Sequence, residues 1–201
     1  MSQRIFFTSD SHAGHANIIR FDNAALEPIL GRKPRPYRSV EEMDGAMIAH
    51  WNSVVGPKDV VYHLGDMCLH KDAREAATWR RQLNGTIRLV LGNHRSIDRI
   101  LVREGLVEPL APEFELKVED PEVPGGSQLI VLSHYAHRVW NKSHHGSWHL
   151  FGHSHGSLPD DPTSRSIDVG CMLFDMQPIP YSRVKSIMSN KRWQAVDHHT
   201  S

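Results

Sequence analysis

Five apolar stretches of this sequence each run into residues able to bind a metal or carry a proton. Ile5 to Thr8 leads to Asp10 and His12, Val60 to Leu64 to Asp66, and Ile87 to Leu91 to Asn93 and His94. Leu129 to Leu132 leads to His134, and His149 to Phe151 leads to His153 and His155. Strands that end in Asp, His and Asn at one polarity gather such ligands along a single sheet edge. Residues two apart on an extended segment point the same way, so Asp10 with His12, and His153 with His155, can each present both side chains to one cavity. Asn93 and His94 are neighbours and diverge, so one can ligate a metal while the other faces a substrate atom. Asp, Asn and His without thiolate make an oxygen and nitrogen set suited to manganese, iron or zinc. Seven ligands exceed the needs of one tetrahedral ion. Two ions sharing a carboxylate would use them, and a pair about 3.5–4 Å apart serves in-line displacement at phosphorus.

The elements that must position these residues alternate between strand and helix signals. A short strand at Ile5 to Thr8 gives way to a helical turn near Ala16 to Arg20. The run Gly31-Arg-Lys-Pro-Arg-Pro reads as a basic surface excursion, since two prolines forbid regular structure. Ser39 and Glu42 have capping-box spacing ahead of Met43, Met47 and Trp51, which predicts a helix from about Val40 to Val54, stopped by Gly56-Pro57. Ala73, Ala76, Ala77 and Leu83 predict a second helix closed by Asn84-Gly85, and Ser96 is placed to cap a third through Glu104. Phe114 to Val118, a turn over Pro121 to Ser127, and Leu129 to Leu132 read as a hairpin. Short strands follow near Trp148 to Phe151 and Ile167 to Val169, with a terminal helix near Ser182 to Met188. The pattern is α/β without repeats or linkers: a single domain over 1–196 and a frayed tail at 197–201.

Composition narrows the function classes. A chain of 201 residues can bury a real core. Lys plus Arg and Asp plus Glu balance at 23 each, so no global field draws nucleic acid, while 15 histidines favour metal chemistry. Cys68 and Cys171 are too few for a disulfide framework, no run suits a membrane span, and the start lacks a signal-peptide core, which together predict a soluble cytoplasmic protein. Oligomeric state is not legible.

The motifs Asp10-Ser-His12, Gly65-Asp66, Gly92-Asn93-His94, His134 and Gly152-His153-Ser-His155 resemble, in order, the signature of the calcineurin-like metallophosphoesterases. The resemblance runs from about Ile5 to Tyr181 and rests on five separated motifs. Leu132-Ser-His-Tyr, the run from Trp148 to His155, and Trp51-Asn-Ser-Val-Val-Gly-Pro are similar to the small bacterial and phage phosphoesterases. It implies a four-layer αββα sandwich of two mixed β-sheets with flanking helices. It further implies that Asp10, His12, Asp66 and His155 hold one divalent ion and Asp66, Asn93, His134 and His153 a second, with Asp66 bridging. Manganese comes first among the ions, with iron, zinc or nickel as alternatives. The implied reaction is direct in-line attack of a metal-bridging hydroxide on a phosphomonoester or phosphodiester of a small, nucleotide-like substrate, with His94 protonating the leaving oxygen or stabilising it by a hydrogen bond.

The sequence also departs from the family pattern. Arg95 stands where many relatives carry an acid, and is either a phosphate contact or a solvated loop arginine. Met67-Cys68-Leu69 replaces the Val-Asp-Arg-Gly run of phosphoprotein phosphatases, and Ala136-His137 replaces a Pro-apolar pair. Cys68 is read as a small buried hydrophobe. His15 is a candidate phosphate contact or support for a ligand. His63 and His149 read as core histidines; His70, His144, His145, His198 and His199 read as surface or loop residues. Arg138, Trp140 and Lys142 follow His134 in a segment long enough to overhang the site, where a cation and an aromatic face can take a phosphate and a nucleobase, the alternative for Trp140 being that it packs its loop down. Beside the hydrolase stand a non-catalytic metal-binding scaffold of the same fold and a metal-storing protein.

Overall fold

A computed structural model describes residues 3–196; the expected frayed tail at 197–201, with His198 and His199, lies outside them. The elements run β1 (Ile5–Thr8), α1 (Ala16–Leu30), α2 (Val40–Val54), β2 (Val60–His63), α3 (Ala73–Arg81), β3 (Thr86–Leu89), α4 (Ser96–Arg103), β4 (Glu108–Pro109), β5 (Glu113–Glu119), β6 (Ser127–Ser133), β7 (Trp148–Phe151), β8 (Ser166–Asp168), β9 (Ile179–Pro180) and α5 (Tyr181–Ser189). Two mixed sheets form. The first has the order β4-β3-β2-β1-β9, parallel except for β9, and the second the order β5-β6-β7-β8, in which only β5 is antiparallel to its neighbour. A parallel bridge between Ser9 and Gly170 ties their edges together.

Strand alternation divides the apolar residues between two cores. Phe7, Val60, Tyr62 and Leu64 face Ile130, Leu132, Trp148 and Leu150 across the gap between the sheets, where Val184 and Met188 of α5 also pack. Phe6, Val61, Ile87 and Leu89 point the other way, against Leu26, Met43, Trp51, Ala77 and Leu101 from α1 to α4. Central parallel strands must be covered on both faces, so β1 and β2 read as apolar runs without a polar side.

Local chemistry sets the helix limits. Ser39 Oγ accepts the Glu42 N–H at 3.2 Å and starts α2 where expected. The first helix is three turns longer than a reading of Ala16 to Arg20 allows. Pro28 sits in its last turn, and Gly31, with φ of 66°, closes it through a bond from its N–H to the Glu27 carbonyl. Ser96 does not cap α4 but is its first residue. The carboxylate of Asp98, one turn in, instead accepts the Met67 and Cys68 N–H groups at 3.0 Å each, fixing the helix to the loop that carries Asp66. The largest departure is the 31–36 run. Arg35, expected on the surface, is completely buried and bonds Asp22 and the carbonyls of Asp10 and Ser11.

Candidate metal centre

All five ligand motifs leave the C-terminal ends of parallel strands, β1, β2, β3, β6 and β7, so their side chains meet at one rim of the sandwich. The turns are tight. Asp10, His12, Asp66, His153 and His155 all adopt left-handed backbone, with φ between 49° and 65°, a conformation uncommon for residues other than glycine. Such backbone costs energy wherever it occurs and clusters at functional sites. Gly92 and Gly152 let the turns approach: a Cβ on Gly92 would run into the Asp66 carboxylate, and one on Gly152 would lie 2.6 Å from an Asp10 oxygen.

Backbone donors aim each carboxylate. Asp10 Oδ2 accepts the His153 N–H and Asp66 Oδ1 accepts the His94 N–H, both at 2.8 Å, which leaves Asp10 Oδ1 and Asp66 Oδ2 directed at the shared space. Asp10 Oδ1 is buried without a hydrogen-bond partner, 3.6 Å from His155 Nε2 and 3.9 Å from His12 Nε2. Asp66 Oδ2 lies between two groups of imidazoles, 3.8 Å from His12 Nε2 and 3.6 Å from His134 Nε2. Beyond it, Asn93 Oδ1 is 2.9 Å from His134 Nε2 and 3.0 Å from His153 Nδ1. The seven expected ligands are thus brought together in two groups that share Asp66.

This donor set fits divalent cations. His134 donates Nδ1–H to the Leu64 carbonyl at 2.7 Å, so its neutral ring turns an acceptor Nε2 toward the acceptor oxygen of Asn93, a pairing that a cation resolves. His12 Nε2 and His155 Nε2 face each other at 3.1 Å and need a proton or a cation between them. Burial pushes the Asp10 carboxyl up to about 7 and keeps His12 neutral far below the usual imidazole range. Burial also disfavours the charged form of His155, but the hydrogen bond to Asp22 and the charge of Asp10 outweigh it and raise its pKa.

Asp22 and Arg35 are the supports that sequence reasoning missed. Asp22 Oδ1 accepts His155 Nδ1–H at 2.8 Å and Asp22 Oδ2 accepts Arg35 Nε–H at 2.6 Å, orienting His155 so that Nε2 points at Asp10 and His12. A signal existed: Ile18, Asp22 and Leu26 share one helix face, and a carboxylate on a buried apolar stripe requires a partner. Tyr135, also missed, stacks edge-on against His134 and His153 at 5.0 and 4.6 Å.

The chain is 31% identical over 183 residues to the uncharacterized protein MJ1445 of Methanocaldococcus jannaschii, covering 88% of this chain and 86% of that one. It belongs to the MJ1445 family. The gene 66 protein of Mycobacterium phage L5 is 28% identical over 173 residues, 76% of this chain and 78% of its own. In the crystal structure of the protein of unknown function AQ665 from Aquifex aeolicus, the same fold recurs with a TM-score of 0.63 at 20% identity, over 92% of this chain and 100% of that one. No family model matches.

In this member of the MJ1445 family the remaining candidates divide. His94 and His15 have rings 5.7 and 5.9 Å from that of His12, on the open side of the cluster, and His15 Nδ1 is buried without a partner. Arg95 is exposed at the start of α4, and Arg138 is exposed on the loop after Tyr135, beside a cavity rather than among the ligands. Cys68 is a buried hydrophobe whose thiol burial pushes up to about 12. His63 and His149 are core histidines: His63 Nε2 bonds Ser11 Oγ at 2.9 Å, and His149 bonds the Val131 carbonyl and the His137 N–H. Trp140 packs its loop down, its indole N–H held by Ser147 Oγ at 3.0 Å and its ring against His149.

Proposed function

We propose that this chain is a phosphoric ester hydrolase that works with two divalent cations on the metallo-dependent phosphatase fold, the four-layer form of the observed two-sheet arrangement. The single observation behind this reading is the position of Asp66 Oδ2 between two groups of nitrogen and oxygen donors. Asp10, His12, Asp66 and His155 would hold one ion, and Asp66, Asn93, His134 and His153 the other. When bound, such a pair polarises phosphoryl oxygens and lowers the pKa of water near neutrality. Manganese suits the donor set, with iron, zinc or nickel as alternatives.

The chain's own residues supply the rest. The left-handed turns hold the ligands in place before substrate arrives, and Asp22 keeps His155 aimed. His94, on the open side, carries a proton to the leaving oxygen. The charge balance favours a small phosphoester, mono- or diester and nucleotide-like, over a polyanion. No helix among the described residues is long and apolar enough to cross a membrane, and with two unpaired cysteines this suits a cytoplasmic enzyme.

The test is direct. Protein stripped of metal and reloaded with manganese is assayed on bis-p-nitrophenyl phosphate and p-nitrophenyl phosphate. Metal-dependent turnover of one or both is expected. Inactivity on both with two ions bound would leave the scaffold reading instead.

A further inference from the structure

Beside the metal cluster lies a cavity of about 620 Å³, within the range of sites that enclose a small organic ligand. Its lining is in large part apolar and partly aromatic, with Phe151 and Ile167 from β7 and β8 together with Leu158 and Trp193. Gly156, the residue after His155, and Asp168, whose carboxylate accepts the Gly156 N–H at 2.8 Å, also line it and connect it to the loop of the cluster. Two arginines line the same space. Arg138 reaches it from the loop after His134 and makes no ion pair or hydrogen bond among the described residues. Arg165 places its guanidinium 5.0 Å from the centre of the Trp193 ring, donates to the Gly146 carbonyl at 3.2 Å, and keeps a buried Nε–H without a partner.

Three carboxylates line the cavity too, and all are engaged elsewhere. Asp160 is paired with Lys191 at 2.5 Å, and Asp168 accepts two backbone N–H groups. Asp161 turns to the N–H and hydroxyl of Thr163. Of the described side chains that line the cavity, the buried donor left without a partner is the Arg165 Nε–H. A flat ring against Trp193 and Phe151 would bury apolar area, and an anionic or carbonyl substituent would satisfy Arg165.

We infer that this cavity binds the organic portion of the substrate, and that the substrate class is small phosphoesters carrying an aromatic or heteroaromatic ring, with Arg165 and Arg138 as specificity residues. The inference rests on the phosphoesterase reading for the ester bond, while the cavity itself can be tested apart from it. Trp193 and Trp140 both line the space, so its filling is readable as tryptophan fluorescence.

The full chain, with and without added manganese, is titrated with adenosine 5′-monophosphate, phenyl phosphate and ribose 5-phosphate. At least one ring-bearing ester should quench saturably, binding about tenfold more tightly than ribose 5-phosphate. Trp193→Phe should remove most of the signal. Arg165→Ala and Arg138→Ala should each weaken binding of the ring-bearing ester about fivefold or more, with metal content unchanged. Equal affinity for ring-bearing and ring-free esters, or wild-type binding by both arginine variants, overturns the inference. Should Arg165→Ala fail to fold, the exposed Arg138 decides alone. Ring selectivity without any ester hydrolysis would sink the reaction and leave the cavity standing; hydrolysis without ring selectivity would do the reverse.

Discussion

At the scale of single residues, Asp66 is where the two halves of the centre meet. Asp66→Ala removes the shared oxygen, and metal analysis of the purified variant should show fewer than two ions per chain. Normal stoichiometry would refute a bridging role. His94→Ala should keep both ions but lose turnover most on poor leaving groups; equal losses on good and poor ones would argue against proton donation. Asp22→Asn preserves the shape of the His155 support while weakening it. By isothermal titration it should lower the affinity of one of the two metal sites by about 10–100-fold and spare the other. Arg35→Met breaks a buried ion pair between side chains almost wholly removed from solvent. A stability loss of about 3–5 kcal/mol in urea unfolding is expected, and a loss under about 1 kcal/mol would put Arg35 among replaceable packing residues.

At the scale of elements, the strand ends do the positioning. Each ligand loop is clamped to a neighbour: β2's loop to α4 through Asp98, β1's loop to β7's through Asp10 and the His153 N–H. Gly92→Ala tests this without replacing a candidate ligand, because the added methyl collides with the Asp66 carboxylate. It should cost about 1–3 kcal/mol in unfolding and reduce metal occupancy together with it. Unchanged occupancy would mean that the loop has room to give. The helix from Val40 to Val54 and the hairpin paired from Glu113–Ser133 to Glu119–Ser127 were legible in the sequence, since a side-chain cap and strict alternation are local signals. The two-residue strands β4 and β9 were not, because their backbone partners come from distant segments, and the far half of α1 was not, because its buried Asp22 and Leu26 find their side-chain partners only in the packed molecule.

At the scale of the whole molecule, buried histidines make stability depend on pH. Burial holds His63 and His149 down to about 3 and about 4, against an ordinary 6.5. Between these values the unfolded chain binds protons that the folded chain refuses. Stability is therefore fully present above 6.5 and lost as pH falls toward 4, by up to about 1.4 kcal/mol per pH unit for each group. Asp98, which burial raises to about 7, acts with the opposite sign: its contribution is complete below 3.8 and disappears as pH rises through 7. A comparison of variants separates the two. Urea midpoints of His149→Gln should fall less steeply than wild type from pH 6.5 to 4, and an unchanged slope would remove His149 from the account.

The sequence by itself determined the types of the candidate ligands, their order along the chain and the strands that deliver them, because apolar runs, short-range spacing and glycine placement are written locally. It also determined that His63 and His149 belong in the core, from their place in strand runs, and that Cys68 does, from its character as a small hydrophobe. Only the tertiary structure decided that Asp66 lies between two donor groups, that Arg35 leaves a proline-rich loop to sit beneath the cluster, and that Arg138 faces a cavity. The reason is physical. A buried charge is stable only beside its partner, and residues as far apart as Asp22 and His155 become partners only when the packed sandwich brings their strands and helices together.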